Sequence, residues 1–210
     1  MKKTLLILIS LVIFSTLFTL IGEIFKNNSM ILIGICLILG FLVKFTDQLI
    51  DDKTIKKPCS LIFSFAILIP LLMIYLAKTN EPVFGMVIGT ALALFIAGKL
   101  DHPAYIVSVM CFVLVMILLI ASDFVDISIY SIYLIPLAFF GAFADEYGHE
   151  KISIEDLNIL ITLFFKHRFT LKIVAFLAVL LNLAKIVHLI GFLCFDFAYE
   201  IVSYSWRFKN

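Results

Sequence analysis

The sequence predicts an all-α fold, a multi-pass membrane bundle of seven or eight transmembrane helices built from helical hairpins. Three observations carry that prediction. Hydrophobic residues make up 63% of the 210 and charged residues 15%, where soluble domains carry about 25% charged residues. Mean hydropathy is +1.17. The charges are gathered between long apolar runs instead of being spread along the chain. This composition excludes a water-soluble globular enzyme and a disordered chain. It also excludes a nucleic-acid binder, because 16 basic and 15 acidic residues leave a net charge of +1 and no basic field for a polyanion.

A helix crosses the hydrocarbon with about 20 mostly apolar residues, within a range of about 17–25. Six stretches free of Asp, Glu, Lys and Arg fit that length: 4–22, 27–43, 58–77, 82–98, 102–122 and 127–144. As helices, all six satisfy their backbone groups internally, as hydrocarbon requires. Within residues 153–165 the apolar run is short, and Lys166, His167 and Arg168 follow. A short or interfacial helix is expected near 153–166. Residues 169–204 are long and apolar, interrupted only by Lys172, Lys185, His188, Asp196 and Glu200. They predict one long final helix, or two.

Positive residues are retained on the cytoplasmic side of a membrane. One side would hold Lys2, Lys3, Lys53, Lys56, Lys57, Lys99 and Lys151, and the other Lys26 and Lys78. That asymmetry places the N terminus inside. Met1-Lys2-Lys3 before an apolar run also fits a signal peptide. The 19-residue run without a small-x-small cleavage site favours a first span. Cys36, Cys59, Cys111 and Cys194 stand singly, without CxxC or CxxH spacing, and read as small packing residues.

Four predicted helices end in similar text: Lys44-Phe-Thr-Asp47, Gly98-Lys-Leu-Asp101, Phe143-Ala-Asp145 and Cys194-Phe-Asp196. The aspartates are 54, 44 and 51 residues apart, about one hairpin each. The chain thus reads as one integral membrane domain over 1–210, with approximate hairpin repeats 1–52, 58–102, 104–150 and 152–204. Such repeats would bring the acidic ends to one membrane face, cytoplasmic by the charge count. Charge at helix exits produces similar text by chance as well.

Two acidic clusters carry the potential chemistry. In the first, Asp47 and Asp51 are four apart and share a helix face, with Lys44, Asp52 and Lys53 beside them. In the second, Asp145/His149 and Glu146/Glu150 are both four apart. Like charges on one face repel unless a cation lies between them. Oxygen ligands suit magnesium, which completes its shell with water and substrate phosphates. Facing acidic clusters at a membrane surface therefore point to a diphosphate held through magnesium. Solvated helix ends give the same text, since ionisable groups beyond a span cost little. Lys44 and Lys99 fit phosphate contacts and equally fit snorkelling or neutralisation of Asp47 and Asp101. Lys185 and His188 lie deeper in an apolar segment, as polar pocket residues or as partners of Asp196 and Glu200. The 22 Phe and 7 Tyr suit an aromatic cavity for a carbocation and suit ordinary lipid-facing packing too.

The first cluster resembles the first aspartate motif of the UbiA family of intramembrane prenyltransferases, Asn-Asp-x-x-Asp-x-x-x-Asp with Lys-Pro shortly after. Asp47 and Asp51 match its last two aspartates, and Lys57-Pro58 follows. Asp145-Glu-Tyr-Gly148 resembles the later part of the second motif, Asp-x-x-Asp-x-x-Gly-Asp. Both lie after the helices where that family carries them. Val43, Lys44, Ala142 and His149 stand where the family has Asn or Asp, which marks a divergent, reduced member.

The resemblance implies a bundle around a central cavity and magnesium-dependent transfer of a prenyl group from a polyprenyl diphosphate to a membrane-embedded acceptor. It implies Asp47, Asp51 and Asp145 as catalytic residues. Asp52, Glu146, His149 and Glu150 would join them on the metal, and Lys44, Lys53, Lys99 and Asp101 would contact substrate. Two other functions fit the same residues. A membrane cation transporter would place its acids near the bilayer midplane, whereas Asp47, Asp101 and Asp145 fall at predicted span ends. A non-catalytic relative that binds a prenyl lipid accounts for Lys44 at a metal-ligand position.

Overall fold

The structure, a computed structural model, describes residues 28–51, 59–124, 127–152 and 159–207. The predicted span 4–22, Asp52, Lys53 and Lys57-Pro58 lie outside these residues. The described residues form eight α-helices and no strands: α1 (Asn28–Asp51), α2 (Cys59–Thr79), α3 (Glu81–Ile96), α4 (Pro103–Ala121), α5 (Ile129–Ile152), α6 (Ile159–Lys166), α7 (Phe169–Leu180) and α8 (Ile186–Arg207). The all-helical class is as the sequence predicts. Among the described residues, five helices are long and apolar enough to cross a membrane, over Ser29–Asp51, Ser60–Thr79, Pro103–Ala121, Ile129–Glu150 and Ile186–Ser205. α3 and α7 are apolar but shorter, at 16 and 12 residues, or about 24 and 18 Å. The end of the chain folds as two helices, α7 and α8, with a break over residues 181–185.

Local chemistry sets most of the described helix ends. α3, α4 and α7 stop at a residue in the left-handed region, Gly98 (φ 68°), Asp123 (φ 55°) and Asn182 (φ 55°). In each, the next amide reaches back five residues, from Lys99 to the Leu94 carbonyl, Phe124 to Leu119 and Leu183 to Ala178. This closes the last turn and satisfies a carbonyl that would otherwise be orphaned. Glycine, asparagine and aspartate tolerate that conformation best. α4 begins with His102, whose Nδ1 accepts the Ala104 amide at 3.1 Å, and Pro103 takes the first helical position, where its missing N–H costs nothing. At the start of α8 the His188 Nδ1 accepts the Lys185 amide at 3.0 Å.

Asp145 and Asp196 do not close their helices. Asp145 lies inside α5, which runs on to Ile152, and Asp196 lies in the middle of α8. A carboxylate does not stop the backbone ladder; a left-handed residue, a proline or a capping group does.

The chain divides into two compact units, one of residues up to Met73 with those from Ile190, the other Ile74–Leu189. In the first unit α1 and α8 run parallel in a constant register. Cys36 faces Gly191, Gly40 faces Phe195 and Lys44 lies over Tyr199. A β-carbon on Gly40 would sit 2.0 Å from the Phe195 carbonyl oxygen, so only glycine permits this approach. Leu32, Leu37, Leu39, Ala198 and Val202 are buried here.

In the second unit α3 packs on α5 backbone to backbone. Gly85 and Gly89 lie against the carbonyls of Ser131 and Ile135, and Ala138 closes on Gly89. Small residues one turn apart allow that closeness in the absence of a hydrophobic drive between apolar helices. The Ser131 hydroxyl donates to the Glu81 carbonyl at 2.7 Å and ties one end of the seam. α7 runs back along α5, with Val174 and Leu171 against Gly141, and Leu134, Ala178 and Ala184 share a small core.

Candidate functional site

In the first unit, the acidic end of α1 carries one paired and one exposed aspartate. Asp47 and Asp51 are both helical, four apart, with Asp51 exposed. The Lys44 ammonium, three residues before Asp47, binds the Asp47 carboxylate. The same ammonium lies 5.0 Å from the centre of the Tyr199 ring on α8, a cation–π contact. The Thr46 hydroxyl donates to the Leu42 carbonyl at 2.7 Å. Phe41 stacks on Phe45, which meets Phe65 edge-on.

The second unit gathers the other acidic cluster at the polar end of α5. Asp145 is buried, and its two oxygens accept the backbone amides of Thr170 and Leu171 at 3.0 and 2.8 Å. It therefore caps the start of α7 from another helix, pairing a carboxylate with the positive helix end. Glu146 is buried as well, and its Oε1 accepts from the Arg168 guanidinium at 2.8 Å. Arg168 closes α6 and opens α7 with φ 51°, a conformation that costs a residue with a β-carbon about 1–2 kcal/mol. The ion pair and the Asp145 cap hold that elbow in place. Phe165 lies on Gly148, with ring atoms 2.1 Å from where a β-carbon would be. The Lys172 ammonium donates to the His167 carbonyl at 2.6 Å and lies over Phe169.

Lys99, just past the Gly98 turn, donates to Glu150 at 2.7 Å. That hydrogen bond holds the Lys99 ammonium above the usual lysine range. The pair is intact at neutral pH and is lost as pH rises through the elevated lysine value. Both side chains are exposed, by 39% and 54%, and such pairs add little. Glu150→Gln is expected to leave the melting temperature almost unchanged at neutral pH, as differential scanning fluorimetry would show.

The structure thus joins Lys44 with Asp47, and Lys99 with Glu150, and collects Asp145 and Glu146 at one elbow. His149 is exposed on α5 and Asp101 is exposed between α3 and α4. Tyr199 and Arg168 join these groups only through the tertiary structure. Arg168 carried a signal, since Lys166-His167-Arg168 interrupts the apolar text. Tyr199 carried none, because its role depends on the α1–α8 register. Among the described residues no three or more His, Cys, Asp or Glu side chains group as metal ligands. Magnesium would have to displace Lys44 from Asp47, Arg168 from Glu146 or Lys99 from Glu150, so these carboxylates form no ready cradle for it.

Among the described residues, fold and composition together mark an all-helical protein with five helices suited to cross a membrane. No protein-family model, curated protein or solved structure matches the chain.

Proposed function

We propose that this membrane protein takes an isoprenoid diphosphate at the polar end of α5, and that it transfers the prenyl group to an acceptor within the bilayer. The observation that supports this best is the meeting of Lys99 and Arg168 with Glu146 and Glu150 beside the second motif. A diphosphate offers the same kind of oxygen acceptor as those carboxylates, with more charge, and can take over both cations. The motif resemblance supplies the prenyl group and magnesium. The N terminus and the acidic clusters of α1 and α5 lie on the cytoplasmic side in this reading, as the lysine distribution favours.

A second reading, binding of a prenyl lipid without transfer, rests on one further observation. Both oxygens of Asp145 are taken by backbone amides, and Lys44 neutralises Asp47.

Binding of geranylgeranyl diphosphate to the protein in nanodiscs, with and without magnesium, tests both. Binding that strengthens with magnesium and loses that increment in Glu146→Gln/Glu150→Gln supports transfer, and screening of acceptors follows. Binding that ignores magnesium but weakens in Arg168→Gln and Lys99→Gln supports binding alone. Absence of binding ends both readings.

A further inference from the structure

We propose that α6 is an interfacial helix whose partner is the lipid surface itself. On this reading it lies in the headgroup layer at the end of α5 and does not take part in a span. The inference rests on the membrane reading of the chain and not on the diphosphate.

Length is the first argument. α6 has eight residues, Ile159–Lys166, about 12 Å of helix, against a hydrocarbon thickness of about 30 Å. Its level relative to α5 is the second. The C-terminal end of α6 meets α5 through Phe165 on Gly148, and the candidate span on α5 ends at Glu150. From the elbow, α7 turns back beside α5: its first amides bind Asp145, and Leu171 and Val174 reach Gly141. The two helices thus part at the level where α5 leaves the hydrocarbon, with α7 heading inward and α6 left at the boundary.

Surface chemistry is the third argument. Ile159 and Leu160 are 74% and 71% exposed, with Ile161 and Leu163 also exposed. Thr162, half-buried, supplies a polar edge among them. An apolar face with a polar edge, too short to span, settles at the boundary between headgroups and acyl chains. The Glu146–Arg168 pair and the Asp145 cap fix the elbow, so this placement is built into the fold and needs no further protein to hold it.

The single tryptophan, Trp206, makes a depth measurement direct. In a Trp206→Phe background, Leu160→Trp is reconstituted in vesicles whose lipids carry bromine either near the glycerol end or near the end of the acyl chain. Met110→Trp, at a 66% exposed position on α4, reports the middle of a span. Leu160→Trp is expected to lose most fluorescence to the shallow bromines and Met110→Trp to the deep ones. Ile159→Trp repeats the test should Leu160→Trp fail to fold. Quenching of both α6 positions chiefly by deep bromines, or by neither, overturns the interfacial placement. Loss of quenching at Met110→Trp as well overturns the membrane reading on which it stands.

Discussion

Replacing Gly89 with valine is expected to unfold the second unit at a much lower temperature than wild type. A β-carbon at this position would lie 2.3 Å from the Ile135 carbonyl oxygen, 2.8 Å from the Ala138 β-carbon and 2.9 Å from the Phe139 amide. The clash is with backbone and with the first atom of a side chain, so no rotamer change relieves it. α3 must move away from α5, and the neighbouring contact of Gly85 with Ser131 opens with it. Overpacking of a tight site costs about 1–3 kcal/mol, with larger values where the backbone itself is blocked, and about 3 kcal/mol or more is expected here. Thermal unfolding in detergent measures it. Gly98→Ala is the control: nothing lies within 4 Å of the added carbon, and only its φ of +68° resists, at about 1–2 kcal/mol. Equal losses in the two variants would refute the close-packed seam.

The second large effect belongs to Asp145. Asp145→Ala leaves the Thr170 and Leu171 amides at the start of α7 without their acceptor. Loss of a cap costs about 1 kcal/mol, up to about 2, and because the amides left without an acceptor are buried, the loss extends to about 1–3 kcal/mol. Asp145→Asn keeps one acceptor oxygen and loses less. The decisive condition is magnesium-free buffer. A capping role lowers the melting temperature there, whereas a carboxylate kept only to ligate magnesium leaves it unchanged or raises it. The same variants in magnesium then show whether the residue serves diphosphate binding in addition.

Much of the architecture could be read without coordinates because hydrocarbon constrains a chain so strongly. Charge-free runs of helical length are visible as text, and they mark α1, α2, α3, α4 and α5. The break at Lys166-His167-Arg168 and the shortness of the run before it announced α6. The division into α7 and α8 was less legible, because Asn182 in the left-handed region ends α7 and asparagine carries that role in only some contexts.

The site divides the same way. The sequence alone determined that acidic residues cluster near helix ends, that Asp47 and Asp51 share a face, and that the second cluster contains two four-residue pairs. Those are consequences of helical periodicity, a local property. What each carboxylate touches is not local. Asp145 meets amides 25 and 26 residues on, and Glu150 meets Lys99, 51 residues back. Lys44 lies over Tyr199 only because Gly40 lets α1 approach α8. Tertiary structure alone decided these partners, because long-range pairing follows from helix register and the closeness of packing. Spacing along the chain shows which groups share a helix face, but not which groups stand opposite that face.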